Sequence, residues 1–106
     1  MPRHLELTSD QLDAIKTLAQ RVRLARLRRN LSQVDVAERA GLARLTYLAV
    51  ENGKPGMSLA ALVKVLAVFG YPERIAALLE SDPIGEDLEE FHGRKRAGAT
   101  RNVADF

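Results

Sequence analysis

The chain has 106 residues, of which 46% are hydrophobic and 28% charged, as expected for one small globular domain with a modest core. It has no cysteine, which excludes disulfide stapling and thiolate metal sites and suits a reducing cytoplasm, the expected location. No apolar run nears the roughly 20 residues of a membrane span, and Met1-Pro2-Arg3-His4 leads into polar residues without the apolar stretch of a signal peptide. Net charge is only +2 but is segregated. Residues 1–57 hold ten Lys/Arg and six Asp/Glu (+4), residues 58–92 two and seven (−5), and residues 93–106 four and one (+3). A basic front, an acidic stretch and a basic tail fit contact with a polyanion about as well as they fit chance asymmetry.

Ala, Leu, Arg and Glu dominate, all strong helix formers, and the breakers cut the chain into five predicted helices. Thr8 and Gln11 have capping-box spacing, and Leu12, Ile15, Ala19, Val22 and Ala25 recur at helical intervals, with Leu18 widening the stripe. Asn30, which tolerates the left-handed conformation, ends this first helix. Ser32 caps a second, with Val36, Ala37 and Ala40 inside and Gly41 as its stop. A third runs from about Ala43 to Asn52 and stops at Gly53. After the loop Lys54-Pro55-Gly56-Met57, Ser58 caps a fourth, with Leu59, Leu62, Val63, Leu66 and Phe69 as its apolar face and Gly70 as its end. Pro72 suits the first position of a fifth, Glu73 to about Glu80, which Ser81-Asp82-Pro83 breaks. Beyond it, Ile84 to Phe91 can form one short helix, and 93–106 has no period and is expected to be disordered. The division is 1–80 for the domain and 81–106 for the tail.

The informative stretch is Ser32 to Gly53. Two short helices are joined by a turn that needs one residue at positive φ, and Gly41 supplies it. Ala37 lies where the helices approach closely. Val36, Ala40, Tyr47 and Val50 have the spacing to bury between them. This leaves the second helix of the pair projecting, free to enter a major groove.

Ser32-Gln33, Val36-Ala37, Ala40-Gly41, Thr46 and Glu51-Asn52-Gly53, in register, resemble the helix-turn-helix family of phage repressors, Cro proteins and xenobiotic-response-element regulators. The resemblance covers about Leu18 to Gly70. It implies an all-α, five-helix, lambda-repressor-like domain and double-stranded DNA as partner. It also implies roles. Ser32 and Gln33 hold a phosphate at a helix start. Asn52 and Lys54 hold a second. Arg44, Leu45, Leu48 and Ala49 face base edges, and Arg26 pairs with Glu51 to tie the first helix to the third. Arg44 suits bidentate bonding to guanine. Two departures stand out. Ala43 replaces the usual Ser or Thr cap. Leu45, Leu48 and Ala49 are apolar where many relatives are polar, which fits thymine methyl groups or, alternatively, a protein partner.

Among Arg21, Arg23, Arg26, Arg28 and Arg29, Arg29 is the phosphate candidate, weighed evenly against a solvated face. His4 and His92 have no companion ligand, so no metal is expected. Glu86, Asp87, Glu89 and Glu90 have no nucleophile or phosphate loop beside them and read as a solvated face. Neither an enzyme activity nor a cofactor is expected. A single reading helix spans only a few base pairs, so a homodimer on two half-sites is expected. Its interface is placed at Ile75, Ala76, Leu78 and Leu79, against the reading that these close the core over Leu62 and Leu66. Asp82 to Leu88, followed by His92-Gly93-Arg94-Lys95-Arg96, resembles the end of regulators that accompany HipA-type kinase toxins. That implies a repressor acting as an antitoxin with a kinase toxin as partner; the plainer reading is a basic tail adding non-specific DNA affinity.

Overall fold

The computed structural model describes residues 6–93. His4, the Arg94-Lys95-Arg96 run and the rest of the expected disordered tail lie outside the described residues. Five α-helices follow in chain order: α1 Ser9–Arg28, α2 Gln33–Ala40, α3 Arg44–Glu51, α4 Leu59–Phe69 and α5 Pro83–His92. A 3-10 helix, Pro72–Ala77, stands between α4 and α5. Among the described residues there is no strand, so the fold is all-α as expected.

Local chemistry sets the helix starts. A helix start leaves four N–H groups without partners, and a short side-chain oxygen can accept from one of them. Thr8 does so for α1 and Ser32 for α2, each in a capping box, closed by Gln11 and Asp35 respectively. Ser58 caps α4 and Asp82 caps α5. Ala43, at the start of α3, has no side-chain oxygen to offer.

The first four helices end alike. Each is followed by a left-handed residue (Asn30, Gly41, Gly53 and Gly70), and the next N–H reaches back to the helix: Leu31 to the Arg26 carbonyl, Leu42 to Ala37, Lys54 to Ala49 and Tyr71 to Leu66. That closure satisfies carbonyls at the helix end and turns the chain sharply. Gly53 has a second role. A Cβ there would stand 3.2 Å from the Ala19 Cβ and 3.5 Å from the Lys16 Cα of α1, so a side chain would press the α3–α4 connection away from α1.

The helices form two compact units, the first ending at Ile75 and the second beginning at Ala76. In the first, α2 packs on α3 and α4, and α3 also packs on α1 and α4. Val22, Val36, Ala37, Tyr47, Val50, Ala61, Leu62, Val65 and Phe69 form one buried core. Tyr47, Val36 and Val65 are fully inaccessible, and Ala37 supplies the small side chain expected between α2 and its neighbours. Fully burying residues of this size contributes about 1.5–3 kcal/mol each, which is what orders helices too short to be stable alone.

Three expectations are corrected. The stretch after Pro72 is a six-residue 3-10 helix, not an α-helix to Glu80. Of its apolar residues only Ile75 packs on the core, while Leu78 and Leu79 are 73% and 80% exposed, so no apolar stripe holds a longer helix in place. On α4, Leu59 is 64% exposed and the buried arc is Ala61, Leu62, Val65 and Phe69. Because α4 is apolar around nearly its whole circumference, its composition does not mark which arc turns inward. Leu18 of α1 is also exposed rather than part of the buried stripe. The short helix expected at Ile84–Phe91 is present as α5.

Candidate nucleic-acid interface

The α2–turn–α3 unit is held on α1 by one buried carboxylate. Glu51 accepts two hydrogen bonds from Arg26, from Nε at 2.7 Å and from Nη2 at 2.9 Å. It also accepts from the Tyr47 hydroxyl and, at 2.8 Å, from Gln33 Nε2. Four donors fill the acceptor sites of the carboxylate. Arg26 Nη1 donates to the Leu31 carbonyl at 2.9 Å, so the guanidinium also holds the α1–α2 turn. Among the described residues no buried side-chain nitrogen or oxygen lacks a partner.

The charges follow from this arrangement. Burial alone would push the Glu51 carboxyl up. The hydrogen bonds from Arg26, Tyr47 and Gln33, together with the Arg26 charge, outweigh burial and hold it at about 2. The Glu51 bond raises Arg26 further above its usual range, against the effect of burial. Burial, and then the bond to Glu51, pushes the Tyr47 hydroxyl upward. The pair is therefore ionised and Tyr47 neutral at ordinary pH. A buried pair of this kind contributes orientation more than net stability, because desolvation offsets much of its attraction.

This cluster faces α3 outward. Tyr47, Val50 and Glu51 occupy the inner side. Arg44 and Leu45 stand exposed, Leu45 at 79%, while Leu48 and Ala49 are half-buried and Leu48 also packs on the core. Arg44, Leu45, Leu48, Ala49 and Asn52 thus form an outer arc whose first turn is open and whose middle is part of the wall. Eight residues make a rod about 12 Å long, similar to the width of a major groove. Asn52 and Lys54 are exposed just beyond its end, and Ser32 is exposed at the start of α2. Thr46 is also exposed on α3, a polar side chain that matching a family pattern did not assign to bases.

Two expected phosphate ligands are engaged inside the domain. The Gln33 amide is held by Glu51. Arg29 donates to the Ala25 and Phe69 carbonyls, each at 2.9 Å, with its guanidinium 4.9 Å from the centre of the Phe69 ring. It fastens the end of α1 to the last carbonyl of α4, a position where a cation complements the helix dipole. The Tyr47 and Gln33 bonds to Glu51 were not read from the sequence. The four-residue spacing of Tyr47 and Glu51 was the available signal, and nothing local indicates the Gln33 contact.

A family model described as helix-turn-helix matches residues 22–75, just over half of the chain. The chain belongs to the helix-turn-helix family. The match ends at Ile75, where the first compact unit ends. Neither the curated proteins nor the solved structures contain a match. As a helix-turn-helix protein the chain is a DNA-binding regulator of transcription. No described helix is long and apolar enough to cross a membrane, and the described residues hold no cluster of metal-ligating side chains.

Proposed function

We propose that this helix-turn-helix protein is a cytoplasmic, sequence-specific repressor that binds a pseudo-palindromic operator as a homodimer. Arg44, Leu45, Leu48 and Ala49 read base edges. Ser32, the backbone N–H of Gln33, Asn52 and Lys54 hold phosphates, and Arg29 adds only longer-range attraction. The supporting observation is the exposed first turn of α3, with a cation and a large apolar side chain side by side, on a helix fixed from behind by the Arg26–Glu51 pair.

Arg44→Ala tests the base-reading role. Its binding to operator and scrambled duplexes is compared by titration at fixed salt. A bidentate Arg–guanine contact provides about 1–3 kcal/mol of discrimination, so the preference for operator falls accordingly. Unchanged discrimination overturns the assignment.

The exposed Leu45 also suits a protein partner, the second reading. An affinity for every duplex no better than about 10⁻⁴–10⁻⁶ M at physiological salt would favour it over operator recognition. The resemblance of Asp82 to Arg96 to the ends of antitoxins supports autoregulation beside a HipA-like kinase toxin. Co-purification of a co-expressed kinase encoded by the adjoining reading frame tests that, and a neighbourhood without such a frame argues for a plain repressor.

A further inference from the structure

Two helical faces carry exposed apolar side chains flanked by charges of opposite sign. On α1, Leu24 and Leu27 are 46% and 49% exposed. At about 100° per residue they lie on the side of α1 away from Val22 and Arg26, with Arg21 and Arg28 along one flank and Arg23 along the other. On α5, Ile84, Leu88 and Phe91 follow at spacings of four and three and are 75%, 54% and 80% exposed. Asp87 lies on one flank of that stripe, with Glu90 farther round the same side. Among the described residues the only ion pair is Arg26–Glu51, so none of these flanking charges is in one.

We propose that in the homodimer α5 of each copy lies along α1 of the other, Ile84, Leu88 and Phe91 covering Leu24 and Leu27 while Asp87 and Glu90, on one side of α5, meet Arg21 and Arg28 on one side of α1. This rests on the homodimer reading above and says where the two copies meet. Charge decides for this pairing over α5 against its own counterpart. α5 carries four carboxylates and no Lys or Arg, so self-pairing would bring two acidic helices together. Pairing with α1 sets the same acids against arginines. Exchange around a twofold axis makes the contact twice. That doubling matters, because a single contact between two short faces is small against the roughly 800 Å² per partner of a stable interface.

Sedimentation equilibrium of the full chain tests the pairing. Arg21→Glu/Arg28→Glu in one variant and Asp87→Lys/Glu90→Lys in another each weaken self-association about tenfold at low salt. Mixed in equal amounts they form a heterodimer in which both contacts are again of opposite sign, and association returns to about the wild-type level. All four positions are exposed, and circular dichroism confirms that the variants fold. Because the chain has no cysteine, Leu24→Cys and Leu88→Cys chains offer a second readout. Under oxidation the mixture forms a disulfide between copies more readily than either variant alone.

A wild-type chain that stays monomeric overturns this inference together with the homodimer reading. A dimer indifferent to both charge reversals, or not restored by mixing, leaves the homodimer standing and overturns the α1–α5 contact. Cross-linking mainly between Leu88→Cys chains overturns it in favour of paired α5 helices. A monomeric Leu24→Cys/Leu88→Cys chain that closes on itself shows α5 docking within one chain and overturns it as well.

Discussion

Tyr47, Val50 and Glu51, on the inner side of α3, are at most 7% exposed, whereas Arg44 and Leu45, one turn earlier on the outer side, stand in solvent. On the inner side the polar atoms are paired, the Glu51 carboxylate by four donors from α1, α2 and α3. On the outer side the helix begins without a cap, and its side chains make no hydrogen bonds among the described residues. On the function proposed above, one eight-residue helix therefore serves two purposes that separate by side chain. Inner substitutions are read out in stability, because they strand buried partners. Substitutions of the exposed Arg44 and Leu45 leave the core untouched and, on that function, are read out in DNA preference.

The largest effect comes from Glu51→Ala. It leaves the Arg26 guanidinium buried without a counter-charge and removes the acceptor for Tyr47 and Gln33. Breaking a buried pair in this way costs about 3–5 kcal/mol, a large part of the stability of a small domain. Urea denaturation measures it. Leu45→Ala, one turn away on the other side, shifts the midpoint little. If the two variants unfolded alike, the contrast between the sides of α3 would be lost.

The two glycines that bound α3 sharpen the comparison at the backbone level. Gly41 has φ +70° and Gly53 φ +68°, so alanine at either position bears the left-handed penalty of about 1–2 kcal/mol. A Cβ at Gly41 meets nothing within 4 Å, whereas one at Gly53 presses Ala19. Gly53→Ala is therefore the more destabilising of the two, by a margin that thermal unfolding of both variants measures. Equal losses would mean that α1 yields to the added methyl group.

Acid addresses the inner side alone. Glu51 titrates lower in the folded chain than in the unfolded one, where a carboxyl titrates near about 4.3. Its contribution is fully present above that range and is lost as pH falls toward about 2. Asp35 is also held low, by its bonds with the Ser32 backbone and hydroxyl, and contributes in the same direction. Stability measured against pH accordingly falls through this window. Glu51→Gln, less stable throughout, has a shallower fall, and what remains is due to Asp35 and other carboxylates. An unchanged slope would mean that the buried carboxyl does not titrate with folding.

The parts of this fold legible in the sequence are those set by short-range chemistry. Thr8, Ser32 and Ser58 mark helix starts, and Asn30, Gly41, Gly53 and Gly70 mark ends, because caps and left-handed residues act on their own neighbours. The inner trio of α3 follows from helical spacing. What was not legible depends on distant partners. Leu59 resembles any other leucine of an all-apolar helix until α2 and α3 select the arc that faces them. Arg29 reads as a free cation until the Phe69 carbonyl, forty residues on, takes one of its donors. The segment after Pro72 carries good helix formers, but an apolar stripe orders a short helix only where a core receives it, and only Ile75 meets one.

The smallest effect lies at the seam between the two sides of α3. The backbone N–H groups of Arg44, Leu45 and Thr46 have no acceptor among the described residues, since Ala43 offers none. Ala43→Ser supplies an oxygen for the Thr46 N–H and stabilises the domain by about 1 kcal/mol. Gly at the same position, which lacks that oxygen, gains less, so the pair isolates the cap from the change in backbone freedom. Because the added hydroxyl sits beside Arg44, operator binding by Ala43→Ser reports on the outer side. Stabilisation with unchanged affinity means that the N–H groups face water in the complex. Stabilisation with weaker binding means that they face a phosphate, since the serine oxygen then competes with the ligand for the same donor.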